Sequence, residues 1–126
     1  MGKRDREELD FEIAFLEGVV ERCPNYVDAL RILANHYTTR GFHEKGLELD
    51  LRLSSLRPNE PIVHYNLACS LSLLNRIDEA SEALKRAVAL GFKDLELITS
   101  DPDLDNIRCD PRFDAIVEAV KARKSP

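Results

Sequence analysis

This sequence predicts an all-α fold built from antiparallel helix pairs, on three observations. Landmark residues recur 34 positions apart: Pro24 with Pro58, Leu33 with Leu67, Ala34 with Ala68, and Leu56 with Leu90. Apolar residues between them fall mostly at the three- and four-residue spacing of helices. Gly41 and Asn75, also 34 apart, tolerate the left-handed conformation that ends a helix. Aligning 27–60 with 61–94 gives five identities, at Leu33, Ala34, Glu48, Arg52 and Leu56. The class of residue repeats more widely than that. Each unit has an apolar-small pair, a turn residue, and a small residue (Gly46 or Ala80) five places later. The small residue lets the second helix of a pair approach Ala34 or Ala68 closely. The unit is therefore an αα-hairpin, repeated along the chain.

The elements follow in order. Residues 5–22 carry Leu9, Ile13, Leu16 and Val20 at helical spacing, with Phe11, Phe15 and Val19 expected to widen the apolar face. This is the second helix of a half-repeat, and Lys3 to Glu8 its solvated start. Repeat 1 spans 27–60 and repeat 2 spans 61–94. Inside repeat 1, Leu47-Glu-Leu-Asp-Leu-Arg-Leu53 alternates like a half-buried strand. Its Leu, Glu and Arg are good helix formers, no residue is β-branched, and its place in the period matches the helical Ala80–Leu90. It reads as helix, with Leu47, Leu49, Leu51, Leu53 and Leu56 forming a wide apolar face. Gly91 stops the last repeat helix. In 95–126, a capping region, Asp101-Pro102 and Asp110-Pro111 each pair an N-cap with a first-turn proline. Short helices are expected near 93–99, 102–107 and 111–121.

Several function classes are disfavoured by composition. The 126 residues suffice for one domain, and 44% of them are apolar, enough for a core. The net charge of −5 and a pI near 5.2 disfavour a basic face for nucleic acid. No stretch nears the roughly 20 apolar residues of a membrane span. The charged first ten residues lack an apolar signal segment. A cytoplasmic location is expected. Cys23, Cys69 and Cys109 lie 46 and 40 residues apart, with neither a C-x-x-C pair nor a metal-ligand spacing. They read as small buried apolar residues in a reducing compartment.

The motif His64-Tyr-Asn-Leu-Ala68, Asn75-Arg-Ile-Asp-Glu-Ala80, Leu84, Ala87 and Leu90 in repeat 2 resembles the tetratricopeptide repeat. Repeat 1 resembles it through Leu30, Leu33, Ala34, Tyr37, Gly41, Gly46, Leu47 and Pro58, departing at Asp50 and Leu53. The two units cover 68 of 126 residues, and Asp101–Phe113 is similar to an ending found on bacterial members of the family. The resemblance implies a right-handed superhelix of about six to eight helices. Its concave wall, lined by the first helix of each pair, would bind a peptide or partner segment. The groove candidates are Arg31, Ile32, Asn35 and Thr39 with Tyr65, Asn66, Cys69 and Leu73, and Asp28 beside them. Arg31, Asn35 and Asn66 also match three places of a clamp that holds a terminal carboxylate in some co-chaperones of this family. The clamp's remaining basic places fall on Glu96 and Ser100. The alternative is a structural protein whose groove is filled by its own C-terminal helix or a second copy, making a homodimer.

Catalysis is not expected. The chain has no nucleophile elbow, phosphate loop or metal-ligand cluster, and no cofactor is implied. Asp101, Asp103 and Asp105 mimic a calcium loop, but Pro102 intrudes, Asn106 replaces the turn glycine, and Arg112 stands where the bidentate Glu belongs. Asp50 within the leucine-rich helix is expected to pair with an Arg, Tyr or His. Replacing Asp110 by Ala is expected to lower the thermal midpoint, followed by circular dichroism. An unchanged midpoint would remove its capping role.

Overall fold

The computed structural model describes residues 1–124; Ser125 and Pro126, the end of the expected capping region, lie outside the described residues. Among those described, the chain forms eight helices and one 3₁₀ turn, with no strand. The helices are α1 (Lys3–Arg22), α2 (Val27–Arg40), α3 (His43–Leu56), α4 (Pro61–Leu73), α5 (Ile77–Ala89), α6 (Leu95–Ser100), α7 (Asp105–Arg108) and α8 (Pro111–Lys124). The 3₁₀ turn, Pro102–Leu104, lies between α6 and α7. The leucine-rich alternation of 47–53 lies wholly within α3.

Helix reversals sit where the turn residues stand. Gly41, Asn75 and Gly91 have φ of 88°, 59° and 114°, all left-handed. Each supports the same closing bond. The next residue's N–H donates five residues back: Phe42 to the Tyr37 carbonyl, Arg76 to Leu71 and Phe92 to Ala87, at 2.8–2.9 Å. Gly46 serves close approach. A Cβ there would lie 3.2 Å from Thr38 Oγ1 and 3.7 Å from the Ala34 carbonyl oxygen.

Consecutive helices pack on one another: α1 on α2, α2 on α3, α3 on α4, and α4 on α5. Leu30, Leu33, Tyr37, Leu49, Leu53 and Val63 centre one apolar cluster with Ile13 of α1. A second runs from Leu47 and α4 through Leu84 and Val88 to Ile98, Leu104, Ile107, Phe113, Ile116 and Val120. The C-terminal residues therefore complete the core of α4 and α5. Three of their polar contacts join positions 34 apart: Asn106 Nδ2 to the Ser72 carbonyl at 2.8 Å, Arg112 to Asp78 at 2.7 Å, and Arg123 to the Ala89 carbonyl at 3.3 Å. The segment lies beside the α4–α5 pair one sequence period on.

Local capping shapes this end. Asp94 accepts from the Leu97 N–H at 3.0 Å, so α6 starts at Leu95 rather than at residue 93 as expected. Asp101 accepts from the Asp103 N–H at 3.0 Å and Asp110 from the Arg112 N–H at 2.9 Å, as the Asp-Pro steps predict. The helix expected over 102–107 is split into the 3₁₀ turn and α7. The Arg108 guanidinium holds the corner, donating to the Thr99 and Asp101 carbonyls at 2.6 and 2.7 Å.

Three packing expectations are corrected. Phe11 and Phe15 do not widen the buried face of α1; they are 74% and 65% exposed. A helix lying mainly on α2 can bury one side only, and Ile13 is the one α1 residue fully within it. Leu51 likewise points away from both neighbours of α3 and is 47% exposed. Of the cysteines, Cys69 is buried, whereas Cys23 and Cys109 are exposed.

Gly41→Ala is expected to destabilise the chain by about 1–2 kcal/mol in urea unfolding, because an L side chain is strained at this φ. Asn75→Gly should leave stability unchanged or raise it slightly, since glycine takes the same conformation without strain.

Candidate functional site

A pocket of about 250 Å³ opens between α2, α3, α4 and the C-terminal segment. Arg31, Asn35 and Thr38 reach it from α2, and Ile62, Tyr65, Asn66, Cys69 and Ser70 from α4. Asp50 of α3 lies at its floor, while Leu97, Asp101 and Asp103 close it on the C-terminal side. The helical spacing explains the gathering. Arg31, Asn35 and Thr38 share one side of α2, and Ile62, Tyr65, Asn66 and Cys69 share one side of α4.

Five of the eight residues expected to line a groove therefore come together: Arg31, Asn35, Tyr65, Asn66 and Cys69. Ile32, Thr39 and Leu73 do not line the pocket; Ile32 and Thr39 are exposed and Leu73 is half-buried. Tyr65 and Cys69, expected to be open to a partner, are buried instead, 3% and 6% exposed. The covering group is the 92–104 segment. The Phe92 ring stacks on Tyr65 at 4.3 Å, and the Tyr65 hydroxyl donates to Asp101 Oδ2 at 2.6 Å. The C-terminal helix α8, which the alternative reading put in the groove, packs on α5 and α6.

The electrostatics of the pocket are acidic. Arg31, its lining cation, is engaged by Glu60. Asp50, 4% exposed, accepts from the Ser70 hydroxyl at 2.5 Å, so its partner is a serine rather than the expected Arg, Tyr or His. Burial pushes its carboxyl up from 3.8 to about 6, with the Ser70 bond pulling the other way. Burial also raises Asp103, reinforced by Asp101, and raises the Cys69 thiol, reinforced by Asp101 and Asp103. The Cys69 sulfur and oxygens of Asp101 and Asp103 lie within 4.8 Å of one another. These acids went unnoticed as a cluster because Asp50, Cys69 and Asp101 are far apart in sequence. Singly they were legible, Asp101 and Asp103 in the Asp-Pro step and the calcium-loop mimicry and Asp50 in its departure from the repeat motif.

The surroundings decide what the pocket favours. A terminal carboxylate matching Arg31, Asn35 and Asn66 would face Asp50, Asp101 and Asp103, and repulsion opposes it. By contrast, in a depression of about 380 Å³ between α1, α2 and α3 two of the three lining acids have a base beside them, Glu17 with Lys45 at 4.0 Å and Glu48 with Arg52 at 3.9 Å, Glu21 being the third.

No protein-family model matches the chain. Over 88 residues, 65% of its length, it is 32% identical to a chloroplastic protein of Arabidopsis thaliana. The chain spans about a quarter (25%) of that protein. Among the described residues, no helix is long and apolar enough to cross a membrane.

The buried acid gives a signed pH dependence. A folded-state value above the unfolded one means that Asp50's contribution is full below pH 3.8 and is lost as pH rises through about 6. Above that, its ionised form costs on the order of 2–3 kcal/mol. Asp50→Asn is therefore expected to raise the unfolding free energy at pH 8, with the gain vanishing below pH 4. A gain independent of pH would show that the carboxyl's charge is not the cause.

Proposed function

We propose that this chain is a tetratricopeptide-like interaction module that binds an extended segment of another protein along the face shared by α2 and α4. On this reading it comprises a half-repeat over 5–22, two complete repeats over 27–60 and 61–94, and a seal over 95–126, wound as a right-handed superhelix. Supporting it are the left-handed helix ends at Gly41 and Asn75 and the contacts between positions 34 apart. The single observation carrying the binding role is the pocket that gathers Arg31, Asn35 and Asn66 beside an acidic floor. Its carboxylates favour a segment offering a lysine or arginine, with the amides of Asn35 and Asn66 available to its backbone.

The role is non-catalytic. Asp101 is engaged by the Tyr65 hydroxyl and the Asp103 N–H, and Asp50 by Ser70. The Cys69 thiol is held protonated, which makes it a poor nucleophile. A purely structural role is the second reading, favoured by the cover that Phe92 and Asp101 place over Tyr65. That cover leaves Ile32, Asn35, Ile62 and Asn66 exposed, which supports the binding role.

Selection of short random peptides displayed on phage tests the two readings. The wild-type chain is expected to enrich sequences containing Lys or Arg, and Asp103→Lys with Asn35→Ala and Asn66→Ala to lose them. No enrichment, or equal binding by the triple variant, would leave the structural role.

A further inference from the structure

The outer face of α1 carries an unpartnered stripe. Arg4, Glu8, Phe11, Phe15, Gly18 and Arg22 follow one another at alternating steps of four and three residues, the seam pattern of paired helices. Phe11 and Phe15 are 74% and 65% exposed, and Glu8 and Arg22 are exposed as well. Two aromatic rings one helical turn apart, both in solvent, make an association patch rather than scattered surface apolarity. α1 is anchored to α2 by other residues: Asp10 meets Arg40 at 2.8 Å and Glu17 accepts from the Tyr37 hydroxyl at 2.5 Å on the side away from the rings, and Glu12 at the flank meets His36 at 3.0 Å.

Gly18 adds a second observation. A glycine inside a helix costs roughly 0.5–1 kcal/mol relative to Ala. Gly41 and Gly91 have left-handed backbones and Gly46 a close neighbour, but a Cβ at Gly18 would meet nothing within 4 Å. Nothing within the described chain uses the space that Gly18 leaves on the exposed seam.

We infer that α1 pairs antiparallel with α1 of a second copy of this chain about a two-fold axis at Phe15. Charge arrangement selects a second copy as occupant. Glu8 and Arg22 stand seven residues on either side of Phe15, so the axis places Glu8 opposite the other copy's Arg22, and does so twice. Neither residue has an ion-pair partner within its own described chain. The same axis sets Phe15 against Phe15 and Phe11 against Val19, and the missing side chain at Gly18 gives room for close approach. None of the α1 residues in this pairing lines the α2–α4 pocket, and the pairing does not rest on the binding role proposed for that pocket.

Sedimentation velocity over a series from low micromolar to near-millimolar concentration tests the pairing. The wild-type chain is expected to show a reversible monomer–dimer equilibrium. Glu8→Arg alone, or Arg22→Glu alone, turns two attractions per dimer into repulsions and should weaken association about tenfold. The double variant restores opposite charges and should return association to near the wild-type level. Phe15→Glu puts like charges on the axis and should abolish the dimer, with helical circular dichroism unchanged because the side chain is exposed. A wild-type chain that stays monomeric overturns the inference. So does a dimer indifferent to Phe15→Glu, or a double variant no better than either single one.

Discussion

Each helix pair here has apolar surface beyond its own seam and needs a neighbour to cover it, and most of the architecture follows from where neighbours are present and where they run out. At α4 and α5 the need is met. The residues from Phe92 to α8 close over them, and Leu84, Ala87, Ile98, Leu104, Ile107 and Val120 are fully buried in one cluster. At the other end α1 lies mainly on α2, and its outward phenylalanines stay in water. One end of the molecule is sealed by its own chain; the other is not.

Sealing and pocket building are the same event at Asp101. Its carboxylate caps the 3₁₀ turn through Oδ1 and accepts the Tyr65 hydroxyl through Oδ2. With the Cys69 thiol 3.9 Å from Oδ2, the half-buried carboxylate has three donors, one from the seal and two from α4. Docking of the C-terminal segment thus fixes the position of Tyr65 and one wall of the pocket together. Asp50 is less well served. Deeply buried with a single hydroxyl donor, it keeps its proton to a higher pH than an exposed carboxyl would.

Local chemistry was legible in the sequence; long-range cover was not. Gly41 and Asn75 marked the reversals because few residue types adopt a left-handed backbone, and the Asp-Pro steps marked helix starts because cap and proline act within one turn. Helical spacing placed Arg31 with Asn35, and Tyr65 with Asn66 and Cys69, on the faces that meet in the pocket. The same spacing could not say what lies above a face. It made Phe11 and Phe15 core residues and Tyr65 a surface residue, and both were reversed by the presence or absence of a segment distant in sequence. That Asp50 and Asp101 meet in one pocket escaped the reading for a related reason. A repeat motif records one helix at a time, whereas their joint field arises from separate helices and a turn.

That joint field bears on the binding reading. In the depression between α1, α2 and α3, two of the three lining acids, Glu17 and Glu48, have a base beside them. In the α2–α4 pocket the cation is already held by Glu60, and Asp50, Asp101 and Asp103 lack a basic partner within it. Burial, and after it the neighbouring Asp charges, raise Asp103 and Cys69, and a visiting positive charge would relieve the second of these. Desolvation by the occupant would strengthen the attraction further, because charges that meet away from water interact at a lower effective dielectric. Affinity in such a site therefore depends less on the amides that the clamp motif emphasises than on the sum of charges around them. Three matching residues of a carboxylate clamp thus sit in a pocket suited to the opposite charge.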